Sequence, residues 1–76
     1  MDFSEALKLL KQGATIRRAS WSGHKRIMLI YPYKPDVILL PYIAIATKDN
    51  KMGVYTATNC DILANDWVLL EQNEDI

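Results

Sequence analysis

Apolar side chains at Phe3, Ala6, Leu7 and Leu10 follow the i, i+3, i+4, i+7 spacing that lays one stripe along a helix. Asp2, with Glu5 three residues later, forms a capping-box-like start in which Asp stands where Ser or Thr is usual. Lys8 and Lys11 sit near the negative end of the helix dipole, and Gly13 is a natural stop just past the end. Beyond Gly13 the pattern turns extended. Residues 14–18 read as a short strand, 20–23 as a turn, and 26–31 as a second strand ended by Pro32. Residues 32–36 read as a loop and 39–47 as a third strand, in which Pro41 implies an edge or a bulge. A polar turn at 48–51 leads into a fourth strand at 52–57. Thr58 with Asp61 resembles a second capping box, opening a one-turn helix through Ala64. Residues 67–70 form a last strand, and the chain from Gln72 onward reads as a frayed acidic tail. The class is α+β: a small antiparallel β-sheet with an N-terminal helix packed on it and one short helical turn near the C-terminus. One domain spans 1–76, with its ordered core at 3–71.

Two runs break the in-out alternation of a one-sided sheet. Ile27-Met28-Leu29-Ile30-Tyr31 and Val37-Ile38-Leu39-Leu40 are continuously apolar, the pattern of strands covered on both faces. A chain of 76 residues buries only about 60% of the surface its unfolded form exposes. The surplus therefore predicts self-association, most often two-fold symmetric. The alternative is a helix over the second face, for which the sequence offers little material.

Composition removes several classes of function. Nine Lys+Arg balance nine Asp+Glu, which argues against a protein that coats DNA or RNA. Half of the residues are apolar and 24% charged, unlike a disordered chain. The longest apolar run, residues 37–46, is broken by Pro41 and falls well short of the ~20 residues a membrane helix needs. One Cys and one His build neither a disulfide nor a zinc site. A soluble protein of a reducing compartment is expected, with no metal, no cofactor and no membrane.

Candidate chemistry is sparse on the catalytic side. His24 lies in a polar, basic turn, Cys60 has no His near it in sequence, and the three glycines stand alone rather than in a phosphate loop. Asp61 and Asp66 could face one another across the short helix, although caps and turn formers look the same in sequence. Binding is better supported. Arg17, Arg18, Lys25 and Arg26 gather within ten positions around Trp21, and guanidinium groups beside an indole can hold a phosphate and stack a base. The plainer reading makes Trp21 a core residue and the charges a solvated rim. Tyr31, Tyr33, Tyr42 and Tyr55 add flat surfaces with a hydroxyl, and Thr56, Thr58, Asn59 and Asp61 add short polar groups able to reach sugar hydroxyls. Trp67, at the head of Trp67-Val68-Leu69-Leu70, reads as core.

Three segments in order carry a resemblance: Phe3-Ser4-Glu5-Ala6-Leu7-Lys8-Leu9-Leu10-Lys11-Gln12-Gly13, Arg17-Arg18-Ala19-Ser20-Trp21-Ser22-Gly23, and Asp61-Ile62-Leu63-Ala64-Asn65-Asp66-Trp67. Leu40-Pro41-Tyr42-Ile43 lies between them, with Thr47 and Asp49 following. Over residues 3–71 the chain resembles the second type of Thoeris anti-defence protein, a small phage-encoded sponge family. The resemblance implies binding of the cyclic ADP-ribose signal of the Thoeris system, of the glycocyclic ADP-ribose type, without cleavage. It also implies action in the host bacterial cytoplasm and homo-oligomers, commonly tetramers as dimers of dimers, with pockets built between protomers. Some members take cyclic oligonucleotides in a separate pocket. On this likeness Arg17 or Arg18 would pair with the pyrophosphate, and Trp21 or an aromatic such as Tyr42 or Tyr55 would stack the base. Thr58, Asn59 and Asp61 would bind hydroxyls or the purine edge. The sequence departs from the family pattern at Val54-Tyr55, where relatives usually carry Pro-Trp, at Ser22, where Asn is common, and at Thr58-Asn59, where Ser-Gln is typical. Beside the sponge that the resemblance implies, two other classes stay open: a phage or prophage module that binds a host protein through its apolar strands with no small ligand, and, less favoured for want of a nucleophile, metal site or base, an enzyme that degrades the signal.

Overall fold

The computed structural model describes residues 1–49 and 51–72. Helix α1 spans Phe3–Lys11, with Asp2 as its N-cap: the Asp2 carboxylate accepts the Glu5 N–H at 2.9 Å. Gly13, at φ 93°, takes the left-handed turn that ends the helix and hands the chain to the sheet. Five strands follow, β1 Ala14–Arg18, β2 Arg26–Ile30, β3 Tyr42–Ala46, β4 Met52–Val54 and β5 Trp67–Gln72, with helix α2 at Asn59–Ile62 between the last two. Every pairing is antiparallel, in the order β4-β3-β2-β1-β5. The segment from Tyr55 through α2 thus carries the chain from one edge of the sheet to the other, bringing β5 beside β1.

Helix α1 lies on one face, because its Ala6 and Leu10 stripe meets the side chains that alternate onto that face. Ala14 and Ile16 of β1, Ile27 of β2 and Trp67 of β5 are buried there with Ala6 and Leu10. Phe3 lies against Trp67, with ring centroids 5.5 Å apart. Ile43 and Ile45 of β3 also pack on this cluster, so Tyr42, Ala44 and Ala46 alternate onto the opposite face. Met1 fastens the start of the chain to β5: the Trp67 N–H donates to the Met1 carbonyl at 3.1 Å, and the Met1 amino group donates to the Trp67 carbonyl at 3.0 Å.

The expected α+β class and its helix-on-sheet arrangement are the ones observed. The boundaries differ in informative ways. The third strand starts at Tyr42 rather than Leu39, because Pro41 has no N–H to donate and the chain joins the ladder only after it. Val37-Ile38-Leu39-Leu40 consequently lies outside the sheet, in the connection between β2 and β3, where Val37 bridges to Lys34 of the same connection, and not in a strand covered on both faces. The fourth strand stops at Val54 rather than Ala57. One more ladder-like bond, Tyr55 N–H to the Ile43 carbonyl at 2.8 Å, precedes the turn toward α2. The short helix is as expected, with Thr58 as its N-cap and Ala64 closing it by an N–H to the Asp61 carbonyl. The last strand runs on to Gln72, which pairs with Ala14 instead of starting a tail. The rest of that expected tail, residues 73–76, and Asn50 of the polar turn lie outside the described residues.

Candidate ligand-binding site

The site grows from the end of β1. Arg18 is opposite Trp67 in the β1–β5 ladder, so both side chains stand on the helix-bearing face. Trp67 fills the core, and the longer Arg18 reaches past it to two carboxylates. Its Nε donates to Asp66 Oδ1 at 2.8 Å and its Nη1 to Asp61 Oδ1 at 3.0 Å. Asp66 sits in the turn before β5, where its other oxygen accepts the Ser20 N–H at 3.1 Å and its carbonyl accepts the Ala19 N–H at 2.8 Å. The turn after β1 is thereby latched to the turn before β5.

Asp61 is the hub of the cluster. Its Oδ2 accepts the Tyr55 hydroxyl at 2.7 Å, its N–H donates to Thr58 Oγ1 at 3.2 Å, and its carbonyl accepts the buried Trp67 Nε1–H at 2.9 Å. The cap residue Thr58 fixes the helical turn, the turn aims Asp61 inward, and Asp61 then holds groups from β1, from the segment after β4 and from β5. Trp21 closes the side of the cluster, with its ring edge-on to Trp67 at 5.3 Å and to Tyr55 at 6.2 Å, a geometry that aligns ring edges with ring faces.

Electrostatics follow from these contacts. Asp66 is held well below the ordinary carboxylate value of 3.8, at about 2, chiefly by the hydrogen bond from Arg18. For Asp61 burial pushes upward, but hydrogen bonds from Tyr55 and Arg18, the Arg18 charge and the Thr58 bond outweigh it, so its value is also lowered. Burial raises Tyr55 above its ordinary 10, and its bond to Asp61 and the charge there raise it further. Arg18 is raised by its bonds to Asp66 and Asp61. At neutral pH the cluster therefore holds two carboxylates, one guanidinium and a neutral phenol.

Arg17 is engaged differently. Alternation along β1 turns it to the other face, where it curls onto the 21–23 turn. Its Nη1 donates to the Gly23 carbonyl at 2.8 Å, its Nη2 to the Trp21 carbonyl and its Nε to the Arg18 carbonyl at 3.2 Å. These partners are neutral, so the positive charge of Arg17 is not cancelled by them, whereas that of Arg18 is shared between two carboxylates. Gly23, at φ 70°, lets the turn present its carbonyl to Arg17.

Of the residues expected to bind ligand, the structure gathers Arg18, Trp21, Tyr55, Thr58 and Asp61 into one cluster, with exposed Asn59 at the start of α2 beside them. Arg17 borders it through the 21–23 turn, and Tyr42 lies on the opposite face of the sheet. Asp66 was legible only as a possible partner of Asp61; the structure makes it the second carboxylate of Arg18. His24 and Cys60 are exposed. Among the described residues no three His, Cys, Asp or Glu side chains come together as a metal site would require.

Comparison with known proteins identifies a family. Residues 1–70 match the sequence profile described as the Thoeris anti-defense 2-like domain. The chain is also similar to Thoeris anti-defense 2 of Bacillus phage SP01, with 30% identity over 81 residues, covering 88% of this chain and 91% of that protein. The match takes in α1, all of the residues that build the Arg18–Asp61 cluster and most of β5. By this measure the chain belongs to the Thoeris anti-defense 2-like family.

Proposed function

We propose that this chain acts in the host bacterial cytoplasm against Thoeris immunity, by binding a cyclic ADP-ribose signal of the glycocyclic ADP-ribose type and holding it intact. Family membership supports the anti-Thoeris role. The observation that favours holding over turnover is the engagement of Asp61, whose two carboxylate oxygens each accept a hydrogen bond, one from Arg18 and one from Tyr55. A general base works best with a pKa near the working pH, and a general acid likewise. Here both carboxylates are pulled down and the phenol is pushed up, so each titratable group is moved away from acid–base work at neutral pH.

The ligand offers two phosphate charges, a purine face and several hydroxyls. Arg17 is the cation best placed for phosphate, because its charge faces only carbonyl oxygens. Trp21 supplies the stacking surface, and exposed Asn59 and Thr58 reach hydroxyls. The protein works as a homo-oligomer, a tetramer built as a dimer of dimers, with the nucleotide held between protomers.

The test is titration calorimetry of the purified protein with glycocyclic ADP-ribose, followed by heating and chromatography of the released nucleotide. Saturable binding with intact recovery is expected. Fragments in the eluate would turn the reading to an enzyme. No heat at all would remove this ligand, leaving other cyclic nucleotides and then a host protein bound through the apolar surface.

A further inference from the structure

Eleven residues join β2 to β3, and they are the wrong kind for a solvated loop. Loops on a protein surface are normally polar, yet Tyr31 is 68% exposed, Tyr33 87%, Ile38 94% and Leu40 80%. Val37 and Leu39 are exposed beside them, and Tyr42 continues the apolar surface onto β3 opposite Ile30. The segment has internal order: the Val37 N–H donates to the Lys34 carbonyl at 3.3 Å across a tight turn through Pro35 and Asp36. All three prolines of the chain, Pro32, Pro35 and Pro41, lie in it. Proline fixes φ and removes freedom that docking would otherwise have to freeze. The result is a stiffened arm with apolar side chains facing water.

We propose that this arm, residues 31–42, is a self-association surface on which a second copy of the chain packs its own arm about a two-fold axis near Pro35. The inference deepens the homo-oligomeric part of the reading above by naming the surface. Two observations select a second copy as the occupant. First, the arm carries two charged residues, Lys34 and Asp36, of opposite sign and two positions apart. A two-fold axis between them sets Lys34 of each copy against Asp36 of the other, because an isologous contact is reciprocal. The surface is complementary to itself in charge at Lys34 and Asp36 and apolar on either side of them. Second, the area is of the right order. Tyr31 and Tyr33 alone present roughly 300 Å² at the usual size of an aromatic side chain. With Ile38, Leu40, Val37, Leu39 and Tyr42 the arm approaches the ~800 Å² that each partner gives to a standard interface.

Sedimentation velocity of the full chain over a micromolar concentration series tests this, with far-UV circular dichroism confirming that each variant folds. Four variants are needed: Ile38→Asp, Lys34→Asp, Asp36→Lys and the double exchange Lys34→Asp/Asp36→Lys. The wild type should form the tetramer, and Ile38→Asp should remove the arm contact and leave the dimer held by the other interface. Each single charge reversal sets like charges together and should weaken association about tenfold or more. The double exchange restores opposite charges and should recover most of the loss. Association unchanged in Ile38→Asp and Lys34→Asp would overturn the arm while leaving the oligomer standing. Loss in Ile38→Asp with no response to any charge variant would overturn the two-fold arrangement. A monomeric wild type would overturn both the arm and the oligomer, and would point to a different protein as the partner of this surface. Should Ile38→Asp fail to fold, the charge variants decide alone. Calorimetry of the wild type with the nucleotide reports on the ligand whatever the arm variants show.

Discussion

Arg18 and Asp61, forty-three positions apart in sequence, meet at 3.0 Å. Asp66 takes the Nε of the same guanidinium at 2.8 Å. This contact ties the last residue of β1 to the short helix α2, which lies outside the sheet ladder, and adds a side-chain link to the turn before β5. It also separates the two neighbouring arginines by the charge of their partners. Arg18 is a fastening between elements, whereas the hydrogen-bond partners of Arg17 are neutral carbonyls.

Replacing Asp61 by Ala removes the acceptor of both Arg18 and Tyr55 and leaves their polar groups without that partner. A loss of about 1–3 kcal/mol is expected. Urea unfolding of Asp61→Ala beside the wild type measures it, and a change below about 0.5 kcal/mol, the size of an ordinary surface substitution, would mean that the cluster does not hold the fold.

Trp67→Phe separates packing from hydrogen bonding at the centre of the core. It keeps an aromatic ring against Phe3 and Trp21 but leaves the Asp61 carbonyl without the Nε1–H donor. The expected cost is about 1–3 kcal/mol. In a domain of this size each kcal/mol lowers the melting temperature by about 4–8 °C, so calorimetric melting resolves it easily. Trp67→Ala should cost about 3–5 kcal/mol and bring the protein close to unfolding.

Acid should loosen the fold through Asp61 and Asp66. Both carboxyls have folded-state values below the ordinary 3.8. As pH falls the unfolded chain takes up protons before the folded one does, so the contribution is fully present above the ordinary value and is lost as pH drops toward about 2. Urea midpoints measured stepwise below about pH 5 should fall, and Asp66→Asn should flatten part of that slope. An unchanged midpoint across the whole window would contradict the ion pairs.

Alkali acts on Tyr55 with the opposite sign. Its folded-state value lies above the ordinary 10 because burial and the Asp61 carboxylate disfavour the phenolate. The stability it contributes is complete below 10 and diminishes as pH rises beyond that, where the unfolded chain loses its proton first. The phenolate absorbance missing from Tyr55→Phe identifies the residue, and it should develop only above pH 10. Ionisation of Tyr55 at or below that pH would show that the ring is not held against Asp61.

Arg17→Gln is the variant that probes the ligand. The folded protein should survive, since the partners of Arg17 are neutral backbone carbonyls of Arg18, Trp21 and Gly23 and no ion pair is lost, and nucleotide affinity should fall about tenfold or more, as expected on removing a charged hydrogen-bond donor. Equal affinity in wild type and variant, by the same calorimetry, would move the phosphate contact elsewhere.

Local rules made much of the fold legible. The Phe3-Ala6-Leu7-Leu10 stripe, the Asp2 and Thr58 caps and the Gly13 stop each act within a few residues, and each is where the sequence places it. Trp67 as core followed from its apolar neighbours. Strand ends were less legible, because they depend on partners distant in sequence. Pro41 excludes Leu39 and Leu40 from the ladder, and β5 reaches Gln72 only because Ala14 is there to pair with it. For the candidate site, the residue types were readable and their division of labour was not. Arg17 and Arg18 are neighbours of identical chemistry, and only alternation across β1 sends one to the carboxylates and the other to the turn.

The short-range elements, the charge balance, the apolar surplus and the motifs that mark the family are all written along the chain. Those depend on side-chain chemistry and spacing along the chain. The tertiary structure decided which apolar run is core and which is surface, since Ile27 is buried in β2 while Ile38 stands exposed on the arm. It also decided that Asp61, Asp66, Tyr55 and Arg18 share one hydrogen-bonded cluster. Both outcomes rest on contacts between residues far apart in sequence, and such contacts exist only once the sheet order has placed β5 beside β1.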